Sequence, residues 1–366
     1  MRIKAIEPIA VSLPMNKPVV MAGEEVRRAD NVLVRIETHD GHVGWGEAAS
    51  APTMTGETIA SMVCAIHHLA PALRDRPADD IGGALVAMDG RMYGNRGAKA
   101  AIEIALHDLV GRANHQPVHA LLGDHQRSRM VIIGVIGGGD LAGDLSDACR
   151  KKAEGYTAFK IKVGLGAPAA DAARTRRLCE VLGPGGLISA DANQGFGPEA
   201  AIEFVRAVAG AGLDFFEQPV AADDLAAMAA VAAATDIAIG ADEGIHGLDD
   251  IRRHHEGRAA RGVSLKAIKL GGLRAVVAAA RLCDGLGMNV NVSCKTGESS
   301  IACAAALHVA SVIPGIAWGL TLTNGGLADD VTSRPIRVDQ GQVDVLDGPG
   351  LGIEVDEDRV RRYQVR

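Results

Sequence analysis

The chain has 366 residues, 48% of them hydrophobic and 23% charged, enough for one large core and a smaller one. A formal net charge of −7 argues against a nucleic-acid surface, which would be basic, and against electrostatic docking on anionic membranes. No apolar run is long enough to span a bilayer, and six scattered cysteines without a Cys-x-x-Cys pair read as free thiols of a reducing cytoplasm.

The opening residues, Met1-Arg2-Ile3-Lys4-Ala5-Ile6-Glu7, turn acidic too early for a signal peptide and begin a strand over 3–13. Residues 15–30 show no apolar periodicity and read as a loop carrying Gly23, Glu24, Glu25, Arg27 and Arg28. Strands follow at 32–38 and 41–47, joined through the hairpin signal Asp40-Gly41. A small, polar stretch over 48–56 reads as a second loop. Helical patterns cover 58–73 and 98–112, the latter with an apolar stripe of Ile102, Leu106 and Leu109. Together these predict an α+β unit over residues 1–125.

From Met130 onward the pattern becomes repeated strand-helix units, the signature of a parallel α/β fold. Strands are predicted at 131–136, 158–163, 187–190, 213–216, 237–241, 264–270, 289–293 and 316–321. Eight strands with Ala-rich helices between them predict one (β/α) barrel over 126–334. Gly137-Gly138-Gly139-Asp140 lacks the Gly-Lys-Ser/Thr ending of a phosphate loop and reads as a plain connection. Residues 335–366 carry only short strand and turn signals.

The chemistry gathers at the strand ends. In Phe159-Lys160-Ile161-Lys162 the two-residue period puts both lysines on one face, where mutual repulsion would lower the pKa of each. Asp191, Glu217 and Asp242 each close a short apolar run, and Lys266 follows the next one. The intervals from Lys162 through these residues are 29, 26, 25 and 24, each one strand-helix unit. A barrel brings such strand ends to one face. Three carboxylates there suit a hard divalent cation, Mg²⁺ or alternatively Mn²⁺. The stretch after Asp191 is no calcium loop, since Phe196 and Ile202 stand where glycine and glutamate are required.

The ordered set Lys-x-Lys, Asp-x-Asn, Glu-Gln-Pro, Asp-Glu and Lys resembles the enolase superfamily, and within it the muconate-lactonising subgroup. The resemblance runs from Gly44-Trp45-Gly46-Glu47 to Gly348-Pro349-Gly350-Leu351-Gly352. It implies a barrel of the modified TIM type under an α+β capping domain, with residues 335–366 returning to the cap. It implies metal ligands at Asp191, Glu217 and Asp242, acid/base lysines at Lys162 and Lys266 on opposite faces, and Lys160 beside them to bind the substrate carboxylate or tune Lys162. The cap's two loops would close over the mouth. Lys269, three residues beyond Lys266, reads as structural or solvent-exposed. The seventh strand has no histidine of the mandelate-racemase type. His254 and His255 read as exposed, and His308 as a core residue.

Substrate contacts fall to Asn193, Glu298, Thr321, Thr323 and Glu24. Glu298 is equally readable as a helix-start carboxylate. Dipeptide epimerases of the subgroup carry Asp-x-Asp where this chain has Thr321-Leu322-Thr323-Asn324, so an amide, acyl or hydroxyl group fits better than a free ammonium. The expected activity is proton abstraction α to the carboxylate of a small-molecule substrate, giving racemisation or epimerisation of an amino-acid derivative. Dehydration of a hydroxylated or cyclic acid, muconate-type cycloisomerisation and a non-catalytic metal-binding scaffold are the alternatives. The resemblance also implies a homo-oligomer of unspecified number.

Overall fold

The computed structural model describes residues 1–21, 24–137 and 140–365, without the side chains of Met21 and Glu24. Strands β1 (Ile3–Met21) and β2 (Glu24–Thr38) form a long antiparallel hairpin, and β3 (Val43–Ala49) pairs with the other edge of β2. The stretch over 15–30 is therefore not a loop but the far half of this hairpin. Its two-residue period is missing because Asn16, Lys17 and Pro18 are exposed and the register slips between Pro14 and Val19. Periodicity reports burial of one face, not pairing. Gly23 lies outside the described residues.

Four helices follow: α1 (Ile59–Leu73), α2 (Ile81–Arg91), α3 (Arg96–Ala113) and α4 (Val118–Leu122). Thr58 and Ser61 close a reciprocal capping box that starts α1. Helix α2 escapes sequence analysis because Gly82, Gly83 and Gly90 dilute its pattern; Asp80 starts it by accepting from the Gly83 amide. In α3 every residue from Gly97 to Gly111 is buried, so it is the spine of the cap. It lies so close to β3 that a Cβ on Gly44 or Gly46 would overlap the carbonyl oxygens of Ala105 or Ala101. The Gly-Trp-Gly motif is thus a packing requirement.

The predicted strand over 131–136 divides into β4 (Arg129–Val131) and β5 (Ile133–Ile136). The barrel continues as α5 (Leu141–Ala153), β6 (Ala158–Lys162), α6 (Pro168–Leu182), β7 (Leu187–Asp191), α7 (Pro198–Ala207) and β8 (Phe215–Glu217). It completes with α8 (Leu225–Ala233), β9 (Ala238–Ala241), α9 (Leu248–Glu256), β10 (Gly262–Leu265), α10 (Ala267–Leu270), α11 (Leu273–Gly285), β11 (Asn289–Ser293), α12 (Ser300–Val312) and β12 (Leu320–Thr321). Prolines at the first turns of α6 and α7 fit a position whose amide needs no helical partner. Strands β5 to β12 form one parallel sheet in sequence order, and a bridge between Ile132 and Leu320 joins its edges. The predicted strand over 264–270 ends at Leu265 and turns into the short α10. Gly138 and Gly139 lie outside the described residues.

Alternation along the strands sorts the barrel. Phe204, Phe216 and Phe196 pack together under α7, while Phe215 turns inward and stacks on Trp318 with ring centroids 4.0 Å apart. A Cβ on Gly262 would overlap that indole ring, so Trp318 fills the barrel's lower end. Farther along, β13 (Gln342–Asp344) pairs with β4, and α13 (Glu357–Tyr363) packs on β1, where Val365 donates to the Ala10 carbonyl. Among the described residues no helix is long and apolar enough to cross a membrane.

Two stability measurements test this packing. Gly46→Ala forces β3 off α3 and should lower unfolding free energy by about 1–3 kcal/mol, read from the urea midpoint. His107 on α3 and His308 on α12 are buried, which pushes their pKa values down to about 4 and about 3 from 6.5. The unfolded chain takes up these protons first, so their contribution is complete above pH 6.5 and is lost as pH falls towards those values. Between pH 7 and pH 5 the wild type should lose about 2 kcal/mol more than His308→Gln does.

Candidate active site

The C-terminal strand ends of the barrel open into a cavity of about 740 Å³, covered by the β1–β2 hairpin and by Thr53 and Met54. The hairpin is pinned over it: Asn16 Nδ2 donates to the carbonyls of Gly325 and Leu327, and the Ala328 amide donates to the Pro14 carbonyl. Both cap segments singled out in the sequence thus reach the cavity wall, through Met15–Val20 in one case and Thr53–Met54 in the other.

Parallel pairing sets Lys162, Asp191 and Glu217 side by side on β6, β7 and β8, with Asp242 just past the end of β9. All four line the cavity, as do Lys160 and Lys266. Lys160 Nζ lies 2.5 Å from Glu217 Oε2 and 3.9 Å from Asp191 Oδ2. Lys162 Nζ donates to Asp191 Oδ2 at 2.7 Å and to Asn193 Oδ1 at 2.5 Å. Lys266 Nζ donates to Asp242 Oδ2. Strand β6 and strand β10 stand four apart in a ring of eight, so Lys162 and Lys266 face each other across the cavity.

The mutual repulsion expected of Lys160 and Lys162 does not control Lys160. Burial works against its charge, but Glu217 and Asp191 outweigh burial and hold its pKa above the ordinary lysine value. Lys266 is raised likewise: Asp242 and Glu217 overcome its burial. Asp191 and Asp242 are held below the usual carboxylate range, because their lysines outweigh the burial that opposes ionisation. Glu217 is raised, mainly by burial.

Lys269 is not at the surface. It is fully buried on α10, and its Nζ donates to Asp242 Oδ1 at 2.6 Å and to the Ser264 carbonyl at 3.0 Å. Strand alternation fails there because the chain becomes helical after Lys266, and a three-residue step along a helix returns to the same side. His254 is also buried rather than exposed, facing the Asp250 carbonyl from within α9 at 2.8 Å. His255 is exposed and His308 is a core residue.

Sequence reasoning missed four contributors. Glu243 lines the cavity, accepts from Asn193 Nδ2 at 3.1 Å and is pushed up to about 7 by burial and by Asp242. Lys295, just past β11, lines the same cavity. Gln218 accepts from the Asp242 and Gly244 amides, and Ser264 Oγ donates to Glu217 Oε1 at 3.0 Å. Asn193, Gln194 and Gln218 all have positive φ, a strained conformation held by these bonds. Glu243 and Gln218 were visible within Asp-Glu and Glu-Gln-Pro, though without a role; Ser264 and Lys295 give no periodic or spacing signal.

The expected substrate contacts divide. Asn193, Thr321 and Thr323 line the cavity, and the buried Thr321 Oγ1 has no partner among the described residues. Thr323 Oγ1 donates to the Lys295 carbonyl at 2.7 Å. Glu298 sits behind the wall, accepts from the Lys295 amide, and is pushed up to about 8 by burial and by Glu47. The Glu24 side chain lies outside the described residues. Glu47 of β3 accepts from Asn31, from the amide and hydroxyl of Ser299, and from the Ala302 amide, tying the cap to the start of α12.

The carboxylates at Asp191, Glu217 and Asp242 form an all-oxygen donor set of the kind hard divalent cations prefer. Glu217 Oε2 is buried without a well-directed hydrogen bond, although Lys160 Nζ is near. As the side chains stand, no three His, Cys, Asp or Glu groups among the described residues close into an ion cage; lysine ammonium groups neutralise the carboxylates instead.

Comparison with known proteins decides the family. Residues 144–359 match the enolase C-terminal domain-like model, and residues 5–123 match the mandelate racemase / muconate lactonizing enzyme N-terminal domain. The chain belongs to the mandelate racemase/muconate lactonizing enzyme family of the enolase superfamily. A chloromuconate cycloisomerase of Cupriavidus necator is 31% identical over 99% of both chains. The N-succinyl-L-Arg/Lys racemase of Bacillus cereus is 32% identical over 100% of this chain and 98% of the relative. The crystal structure of 2-chloromuconate cycloisomerase from Rhodococcus opacus superposes with a TM-score of 0.95 over the full length of both chains, at 29% identity. Its muconate-lactonising subgroup resemblance holds, and the enzyme class is isomerase.

Replacing Lys269 tests whether it anchors the site from below. Lys269→Met leaves the Asp242 carbonyl and one carboxylate oxygen without their buried donor. Unfolding free energy should fall by about 3–5 kcal/mol in urea titration, whereas a solvated lysine would change it by less than about 0.5 kcal/mol.

Proposed function

We propose that this member of the family is a Mg²⁺-dependent racemase or epimerase that exchanges the α-proton of an amino-acid derivative. The observation that carries this reading is the placement of Lys162 and Lys266 on strands four apart in the eight-strand ring, facing one cavity, with three carboxylates between them. A substrate carbon held between two lysines can lose its proton to one and regain it from the other on the opposite face. Such a pair permits inversion, and the facing positions of Lys162 at the end of β6 and Lys266 just past β10 support that reading.

Asp191, Glu217 and Asp242 would hold the cation, which supplies Lewis-acid charge against the negative charge that proton loss leaves on the substrate carboxylate. Lys160, buried against Glu217, stands where it keeps a positive charge near that carboxylate. Asn193 holds Lys162 through its Oδ1 and Glu243 through its Nδ2, so the base is oriented by a residue in a strained turn. The unpartnered Thr321 hydroxyl offers a hydrogen bond to an acyl or amide oxygen.

A cycloisomerase reading rests on the chloromuconate relatives, which match at the same identity over the same length. One lysine suffices for that chemistry, so the two readings separate by experiment. In D₂O with Mg²⁺, deuterium should enter the α-position of N-acyl amino acids from both enantiomers. Lys162→Ala and Lys266→Ala should each lower turnover by about 10²–10⁴-fold, each abolishing exchange from a different enantiomer. Chelation by EDTA should stop exchange and added Mg²⁺ restore it. Loss of exchange from one enantiomer only in wild type, with lactone formed from muconate, would replace racemisation by cycloisomerisation.

A further inference from the structure

Lys162 is the last residue of β6, where the chain leaves the sheet. Strand β5 ends at Ile136, opposite Ile161 and one residue short of Lys162. A carbonyl in that place needs a partner from elsewhere. The partner comes from outside the cavity. Arg174 of α6 donates through Nη2 to the Lys162 carbonyl and, at 3.0 Å, to Asp171 Oδ1. Asp171 Oδ2 accepts from the Gly164 amide at 2.8 Å. Arg174 and Asp171 thus grip the main chain on both sides of Val163. Through Nη1 the same guanidinium donates to Asp144 of α5. Asp144 and Asp171 are buried, and the Arg174 side chain is 14% exposed. These three side chains stand behind the wall rather than in the lining of the cavity.

Desolvation offsets most of the attraction within a buried ionic cluster, so its effect is sought in geometry. The main chain at Lys162 has little room. A Cβ on Gly137 would lie 3.1 Å from the Lys162 Cβ, and Gly164 turns the chain away at φ +88°. From this fixed root the Lys162 side chain reaches Asp191 and Asn193. A small rotation of the peptide over 162–164 would carry Nζ along the cavity wall. Lys266, on the far side, is held in another way. Its carbonyl accepts from the amides of Lys269 and Leu270, both at 3.2 Å, within its own short helix α10. The support of Lys266 is therefore local, whereas that of Lys162 is brought in by α5 and α6.

We infer that Arg174 is a positioning residue for Lys162: with Asp144 and Asp171 it sets the depth at which this lysine, and not Lys266, presents its amine to the substrate carbon. It acts through the main chain from behind the barrel wall. The inference rests on the proposed two-lysine exchange for its kinetic readout. Loosening the clamp shifts Nζ against the reacting carbon, and a misplacement of about 1 Å costs on the order of 10²-fold in rate. Because the clamp serves one lysine only, its loss is felt on one face of the substrate.

The test compares Arg174→Met and Arg174→Lys with wild type by α-proton exchange of N-acyl amino acids in D₂O with Mg²⁺, measured from each enantiomer separately. Exchange from the enantiomer that Lys162→Ala silences should fall about 10–100-fold in Arg174→Met, and exchange from the other less than about twofold. Arg174→Lys keeps a charged donor and should recover part of the loss. Circular dichroism and the urea midpoint verify folding; if Arg174→Met does not fold, Arg174→Lys carries the same comparison. Backbone hydrogen exchange read by mass spectrometry reports on the clamp itself: deuteration over 162–165 should quicken about tenfold in the variant, while 264–270 stays as in wild type. Equal losses from both enantiomers, or no loss, overturn the positioning role. A wild type that does not exchange from both enantiomers removes the racemase reading, and hydrogen exchange alone then decides. Quickening confined to 162–165 supports the clamp; unchanged rates, or quickening throughout the chain, overturn it.

Discussion

Three buried carboxylates and the four lysines gathered around them at the ends of neighbouring strands are tolerable only because each meets an opposite charge. An isolated ionised group in such a place would cost several kcal/mol. Here Glu217 meets Lys160, Asp191 meets Lys162, and Asp242 meets both Lys266 and Lys269. The rest of the molecule serves this balance. Rigid strands fix the spacing, the left-handed turns at Asn193 and Gln218 orient donors, and Trp318 seals the lower end. A site assembled this way is preorganised before any ligand arrives.

The same balance explains why one scaffold serves different isomerisations among its relatives. The charged ring sits on strands, whereas the residues above it come from the β1–β2 hairpin, from Thr53 and Met54, from α5 and from the segment before β13. Strand residues share hydrogen bonds with their neighbours, so a change in one disturbs several. The covering residues are partly exposed and can vary without upsetting the charge balance below. The residues that balance charge at the strand ends are thereby kept apart from those that cover the cavity.

Much of this was legible in the chain. The near-constant interval between Lys162, Asp191, Glu217, Asp242 and Lys266 reflects the length of a strand-helix unit, and strand alternation correctly paired Lys160 with Lys162. Other features were hidden for physical reasons. The far half of the hairpin has little buried face, so pairing left no period. Lys269 read as structural or solvent-exposed, and its burial was not decided, because nothing local marks the change from strand to helix after Lys266. The raised pKa of Lys160 depends on a carboxylate two strands away. His254 and Gln218 are buried by tertiary contacts that composition does not register.

Glu47 belongs to the cap but caps a helix of the barrel, accepting from Ser299 and Ala302 while Asn31 reaches across to the Gly297 carbonyl. These bonds are buried, and breaking them together would strand several polar groups at once. The cap is accordingly riveted to the barrel at its β3 side by Glu47 and along its hairpin by Asn16 and Pro14. The cover is thus like a flap stitched along two edges, one seam through Glu47 and the other through Asn16 and Pro14, so the cavity beneath it keeps its shape from both sides.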